Sequence, residues 1–188
     1  MTIEEAGPDP VRIAAAIHAQ FGPVPGAVPV EAIARALDIV EIRTEPLKSF
    51  EAALVMPDDR HSGAIVLNSD ASPRRRRYSL GHELGHFLNI WHEPLEGDGG
   101  SFACARADLA KGWRPPGAVI DRRLEQEIEA NRFSIELFAP RTLMRRHLHG
   151  VPDLARVVAA ADALELSREA AARRYVEFHP LPAPSLSR

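Results

Sequence analysis

The sequence predicts an α+β fold, with a small sheet of three strands or slightly more and about six to seven helices packed with it. Three short runs rich in aliphatic and β-branched residues have the length of strands and end at turn-forming residues. Before and after these runs, apolar residues recur at helical spacing over longer stretches. The predicted strands are IVEIRTEP, EAALVMP and SGAIVLN.

Four helices are predicted in the first three quarters of the chain. PVRIAAAIHAQFG begins at Pro10 and ends before Gly22, because proline favours the first helical turn and glycine commonly follows the last. VPVEAIARALDI repeats the pattern after a GPVPG breaker. Ser72 and Pro73 open the helix that contains GHELGHFL. A longer amphipathic helix, DRRLEQEIEANRFSIELF, ends before Pro140.

Residues 140–180 form a helical C-terminal part in this prediction. Three segments have helical periodicity, namely RTLMRRHLHG, DLARVVAAADALE and SREAAARRYVEF, and Ser167 is the expected N-cap of the last. A length of 188 residues suits one globular domain, which we place at residues 8–180. Residues 1–7 and 181–188 are expected to be disordered.

The composition argues against several classes of protein. The 23 basic and 26 acidic residues give a formal net charge of -3, which does not favour general binding to nucleic acid or to a membrane surface. The single cysteine excludes an intrachain disulfide and a cysteine-rich zinc finger. The acidic N-terminus lacks the apolar core of a signal peptide, and no apolar run reaches about 18 residues. We therefore expect a cytoplasmic protein.

A His-Glu-x-x-His motif lies on the helix that begins at Pro73. Because His82 and His86 are four residues apart, their imidazoles share one helical face and can bind one metal ion, with Glu83 beside them. Zinc accepts neutral imidazole and keeps one position for water when three protein ligands are present. It lowers the pKa of that water to about 7, and Glu83 can accept the proton as the water attacks a carbonyl. The motif thus predicts a hydrolase of peptide bonds with Glu83 as the catalytic base.

Three residues compete for the role of third ligand. Glu127 and Asn131 share a face of the long helix, so the carboxylate can bind the metal while the amide orients a ligating histidine. Glu129 is the alternative on the same helix, but its helical neighbours are more polar. His92 lies at the spacing of the metzincin signature, although this chain has asparagine where that signature has glycine. We rank Glu127 first, Glu129 second and His92 third.

Together, the two long helices resemble the paired motifs of the ImmA/IrrE-type metallopeptidases. RRRRYSLGHELGHFL is similar to the Arg-aromatic-x-x-x-His-Glu-x-x-His helix of that family, and EIEANRFSIELFAP to its Glu-x-x-Ala-Asn/Asp-x-Phe-Ala-x-x-Leu-Leu-x-Pro helix. SGAIVLN and LELSREAAARRYVEF also look like that family, so the resemblance extends from about Val11 to Phe178. Ser134 replaces the usual alanine, and Phe-Ala-Pro replaces Leu-Met-Pro at residues 138–140. Neither change touches a predicted ligand.

The resemblance implies a zincin-like fold with a zinc site. It assigns the metal ligands to His82, His86 and Glu127, and the general base to Glu83. Mn²⁺ and Fe²⁺ are alternatives to Zn²⁺, because sites of histidine and carboxylate also accept those ions. Tyr78, one turn before His82, offers a hydroxyl for the substrate carbonyl, but packing is the favoured interpretation.

Members of that family are bacterial or phage regulators, and several cleave or inactivate a helix-turn-helix repressor. The resemblance therefore implies a gluzincin-like zinc endopeptidase that cleaves such a repressor, with a role in transcription regulation and stress response. The alternative is a metal-binding regulator that holds the repressor or another protein without hydrolysing it. The intact Glu83 favours the enzyme. Neither function calls for direct binding to nucleic acid or membrane, and the sequence does not define the oligomeric state.

Overall fold

The computed structural model describes residues 2–94, 101–104 and 121–180. The chain forms two compact units. The first comprises Met1–Gly22 and Pro29–Leu137, and the second comprises Pro23–Val28 and Phe138–Arg188. The single domain over residues 8–180 stays a prediction, and the expected disorder at 181–188 lies outside the described residues.

The predicted α+β class is confirmed. The helices of the described residues are α1 (Ile3–Ala6), α2 (Pro10–Phe21), α3 (Val30–Ala36), α4 (Pro73–Leu88), α5 (Arg122–Phe138), α6 (Arg141–Met144), α7 (Leu154–Ala163) and α8 (Arg168–Phe178), with a 3-10 turn at Arg145–His147. The strands are β1 (Ile39–Glu45), β2 (Ala52–Val55), β3 (Gly63–Asn68) and β4 (Ser101–Cys104). Among the described helices, none has both the length and the apolar character needed to cross a bilayer.

The four strands form one mixed sheet in the order β1-β3-β2-β4. β3 pairs in parallel with β1 and antiparallel with β2, which in turn pairs antiparallel with β4. Alternate residues of β3 are buried, namely Gly63, Ile65 and Leu67. This alternation is expected of a sheet with one face packed against the core. α4 supplies that packing, because it contacts β2 and β3.

α4 begins where the sequence predicts. The Ser72 hydroxyl accepts a hydrogen bond from the backbone nitrogen of Arg75 at 3.3 Å, and Pro73 occupies the first turn. From Ser79 to Phe87 every residue of α4 is buried. A helix enclosed in this way is normally apolar. The polar residues within the enclosed stretch therefore need a reason other than folding.

Gly85 allows α4 to approach α5 closely. A Cβ at this position would lie 2.9 Å from Cδ1 of Phe133 and 3.2 Å from Cα of Ala130. Real side chains do not tolerate the first distance, so only glycine fits without movement of α5. The separation of the two helices that carry the predicted ligands thus depends on this residue.

Two elements differ from the sequence prediction. Residues 1–7 are expected to be disordered, but Ile3–Ala6 form α1, because Thr2 and Glu5 make a reciprocal capping box with distances of 3.2 and 2.7 Å. β4 is absent from the prediction. It has only four residues, and its pairing with β2 defines it more than any pattern of its own.

In the second unit, a buried arginine joins the start of the unit's helical part to α8. Arg174 is 1% exposed and donates through Nε and Nη2 to the carbonyl of Ala139, at 2.9 and 2.8 Å. Its Nη1 also contacts Glu177 at 2.8 Å. A buried charge that is paired and hydrogen-bonded in this way does not incur the full cost of desolvation. Ser167 caps α8, as predicted.

Gly85→Ala should destabilise the first unit. Overpacking a close contact costs about 1–3 kcal/mol, of which about 1 kcal/mol is offset by the better helix propensity of alanine. We expect a net loss of up to about 2 kcal/mol in the free energy of unfolding, measured by urea unfolding. Gly26→Ala is the control, because its Cβ would meet only the carbonyl oxygen of Ala163 at 3.9 Å. An equal effect of the two substitutions would contradict the close-contact explanation.

Candidate metal centre

His82 and His86 lie side by side in the enclosed stretch of α4. Their side chains are 0% and 1% exposed. Their Nε2 atoms are 3.1 Å apart. The spacing of one helical turn directs both rings to the same side of the helix. Two ring nitrogens at this distance require a proton or a cation between them, since two lone pairs repel.

Glu127 reaches the same point from α5. Its Oε2 lies 3.2 Å from Nε2 of His82, and its Oε1 lies 3.7 Å from Nε2 of His86. The ligand atoms of these three buried residues all lie within 4.8 Å of one another. Among the residues that the structure describes, this is the one group of His, Cys, Asp or Glu side chains that could hold a metal ion. We call it the His-His-Glu cluster.

The His-His-Glu cluster fits a tetrahedral zinc ion. Zinc to ligand distances of about 2.0–2.2 Å place neighbouring ligand atoms about 3.3–3.6 Å apart. The observed separations of 3.1, 3.2 and 3.7 Å are close to these values. Two histidines and a carboxylate are also a known ligand set of catalytic zinc. The same ligands suit Mn²⁺ and Fe²⁺.

Burial favours the neutral form of His86, which is the form that binds metal. Desolvation lowers the pKa of His86 well below its ordinary value, and the nearby positive charge of Arg60 acts in the same direction. A ligating imidazole must be unprotonated at the atom that binds the metal. The environment of His86 therefore favours metal binding over protonation.

Asn131 and Tyr78 orient the ring of His82. The amide oxygen of Asn131 lies 3.1 Å from Nδ1 of His82 and accepts a hydrogen bond from the Tyr78 hydroxyl, also at 3.1 Å. Because an amide oxygen only accepts, Nδ1 of His82 carries the proton and Nε2 presents its lone pair to the cluster. The structure thus places Asn131 where the sequence expects it, and it directs the Tyr78 hydroxyl to Asn131.

Glu83 is fully buried in α4, one residue after His82. A buried carboxylate is costly, so its presence on an enclosed helix needs a functional reason. A general base next to the metal ligands would supply that reason. The catalytic role of Glu83 stays a prediction.

The alternative ligands His92 and Glu129 lie against each other, beside the His-His-Glu cluster. Nε2 of His92 is 2.9 Å from Oε2 of Glu129. Nδ1 of His92 is 2.9 Å from Nδ1 of His86, which is the ring nitrogen of His86 that does not face Glu127. Asn89 has a φ of -85°, so the chain leaves α4 without the left-handed residue of a metzincin turn.

Arg60 is a residue of the site that the sequence analysis missed. Its guanidinium donates to the carbonyl of His86 at 3.1 Å, to that of Asn89 at 2.9 Å, and to that of His92. These carbonyls lie at and beyond the end of α4, where helical partners are lacking. Burial, followed by the charge of Arg60, lowers the pKa of His92 to about 3. No sequence signal marks Arg60, because the segment PDDRHSG has the ordinary composition of a turn.

A cavity of about 460 Å³ opens beside Glu127 in the first unit. Its wall combines aromatic rings, side chains of both positive and negative charge, and a neutral amide. The lining residues include Phe50, Glu93, Phe102, Arg122, Arg123 and Gln126. This mixture suits a peptide, which offers apolar side chains and a polar backbone, better than a uniformly charged ligand.

The HExxH helix, the sheet beneath it and the distant glutamate define a metallopeptidase-like protein. Residues 38–93 match the family model Peptidase_M78, described as an IrrE N-terminal-like domain. This match confirms the resemblance to the ImmA/IrrE-type metallopeptidases. The matched segment includes β1 to β3 and all of α4, whereas α5 with Glu127 lies beyond it. Comparison with curated proteins gave no match.

Glu127→Gln should remove one of the three metal ligands. Changes to residues that merely support a ligand lower metal affinity about 10–100-fold, and loss of a ligand should exceed that range. Equilibrium dialysis against Zn²⁺ with elemental analysis measures the affinity, and the parent should hold about one ion per chain. Glu125→Gln, exposed on the same helix, is the control and should bind like the parent. Parental affinity in Glu127→Gln would exclude this residue as a ligand.

Proposed function

We propose that the protein is a zinc-dependent endopeptidase. The observation that carries the proposal is the convergence of His82, His86 and Glu127 at one buried point, with Glu83 in the same enclosed stretch of α4. A protein that only binds metal needs the three ligands. The additional buried carboxylate of Glu83 is required only if a water molecule must be deprotonated.

The chain's own residues supply the proton transfers of hydrolysis. Zinc bound at the cluster would polarise the scissile carbonyl and lower the pKa of the attacking water to about 7. Glu83 accepts a proton from the water on a carboxylate oxygen as the water oxygen bonds to the carbonyl carbon. Glu83 then gives that proton to the amide nitrogen as the C–N bond breaks, so an amine leaves and the carboxylate is restored. Asn131 holds His82 in the required tautomer throughout.

The cavity beside Glu127 supports a peptide as the substrate. Phe50 and Phe102 offer apolar surface to a substrate side chain. Arg122 and Glu93, which pair at 2.8 Å, offer a donor and an acceptor at the rim. Because the charges of the rim balance, the cavity has no preference for a polyanion such as nucleic acid.

For the physiological substrate we propose a helix-turn-helix transcriptional repressor, whose cleavage in the cytoplasm relieves repression under stress. Support comes from the paired helical motifs and from the match to the IrrE N-terminal-like domain. The alternative is a regulator that holds its repressor without cutting it. Substitution of Glu83 distinguishes the two functions, because only hydrolysis requires a general base.

Glu83→Gln should bind zinc like the parent and fail to cleave. Glutamine keeps the size of the side chain but cannot accept the proton, and general bases contribute about 10²–10⁴-fold in rate. The measurement is cleavage of purified helix-turn-helix repressors by the zinc-loaded protein, followed by mass spectrometry. Chelation of the metal should also abolish cleavage.

Glu31→Gln, on the exposed side of α3, is the matched control and should cleave at the parental rate. Full derepression of the target gene by Glu83→Gln would show that the protein acts by holding its partner. Cleavage by this variant at the parental rate would remove Glu83 from the mechanism.

A further inference from the structure

The residues beside His86 form a chain of three polar side chains. Nδ1 of His86 contacts Nδ1 of His92 at 2.9 Å, and Nε2 of His92 contacts Oε2 of Glu129 at 2.9 Å. The His86 and His92 side chains are 1% and 2% exposed, whereas that of Glu129 is 33% exposed. This series of side-chain contacts thus connects the His-His-Glu cluster, through the buried His92, to the carboxylate of Glu129, which water can reach.

The positions of the protons in this chain follow from the chemistry of its atoms. A carboxylate only accepts, so His92 must carry its proton on Nε2 to donate to Glu129. Nδ1 of His92 is then an acceptor, and the 2.9 Å contact requires the proton on Nδ1 of His86. His86 is thereby left with a lone pair on Nε2, the atom that faces His82 and Glu127.

Asn89 and Arg60 hold this arrangement in place. The amide nitrogen of Asn89 donates to Oε2 of Glu129 at 3.0 Å, and it lies 2.9 Å from Nε2 of His92 because both of these donors converge on the same carboxylate oxygen. The amide oxygen of Asn89 accepts from the Trp91 backbone nitrogen at 3.2 Å, which fixes the nitrogen on the Glu129 side. Glu129 therefore accepts from both groups, and Arg60 fixes the backbone of the turn through the carbonyls of Asn89 and His92.

We propose that His92 and Glu129 are positioning residues, which hold His86 in the tautomer and orientation that bind metal. Asn131 does for His82 what this pair does for His86, so each ligating histidine has its own acceptor on Nδ1. His92 and Glu129 are both candidates for the third ligand in the sequence analysis. In the structure His92 contacts His86 at Nδ1, the ring nitrogen that does not face Glu127. This inference rests on the proposed metal site, and its test separates the two.

The test measures Zn²⁺ affinity in competition with a chromophoric chelator. His92→Phe keeps the ring but removes both nitrogens, and we expect affinity about 10–100-fold below that of the parent. His92→Gln should recover part of this loss, because an amide oxygen can still accept from His86. Glu129→Leu should weaken binding in the same direction, whereas the exposed Glu125→Gln should match the parent. Glu129 is partly exposed, so its variant remains informative if His92→Phe fails to fold.

A spectroscopic readout identifies the tautomers directly. Long-range ¹H–¹⁵N correlation spectra of the zinc-loaded parent should show His92 protonated at Nε2 and His86 protonated at Nδ1. The Co²⁺-substituted protein should keep a four-coordinate absorption spectrum, which His92→Phe alters and Glu125→Gln does not.

Each outcome has a defined meaning. If the parent binds zinc and His92→Phe binds it equally well with an unchanged Co²⁺ spectrum, the positioning role is wrong and the metal site stands. The opposite tautomer of His92 would also overturn the positioning role. If the parent itself binds no zinc, the proposed function fails and this inference fails with it.

Discussion

The close approach of α4 and α5 is the constraint on which the site depends. Gly85 leaves room for Phe133 and for the backbone of Ala130, and this contact sets the distance between the helix with two histidines and the helix with Glu127. A separation larger by one methyl group would exceed the span of a single ion, because ligand bonds to zinc extend only about 2.0–2.2 Å. Core packing therefore determines whether three distant residues make one site.

The sequence predicts well the features that depend on local spacing. The first three strands, the start of α4 and the juxtaposition of His82 with His86 follow from periodicity, capping and the helical turn. The third ligand is harder, because Glu127 and Glu129 lie on one helix and only the docking of α5 on α4 decides which of them faces the histidines. Tertiary structure brings Glu127 to the cluster and turns Glu129 toward His92.

Features without a pattern of their own could not be predicted. β4 is a strand because β2 offers it an edge, so its four residues contain too little information by themselves. Arg60 belongs to the site through bonds to backbone carbonyls, which any sequence could offer. The spacing of His92 after His86 indicates a metal ligand. In the structure, however, His92 contacts Nδ1 of His86, on the side of the ring that does not face Glu127. Contacts between a side chain and the backbone, and contacts with a residue that itself faces the metal site, produce no recognisable pattern in a single sequence.

The origin of the predicted metal ligands on two separate helices would affect the lifetime of the protein. An unfolded chain does not hold His82, His86 and Glu127 together, so an ion that binds them binds the native state alone. By mass action, free metal at about 100 times its dissociation constant would add about 2.7 kcal/mol to the free energy of unfolding. Scarcity of metal would raise the unfolded fraction that proteases degrade. The supply of metal would then govern how many copies of the protein persist, in addition to what each copy can do.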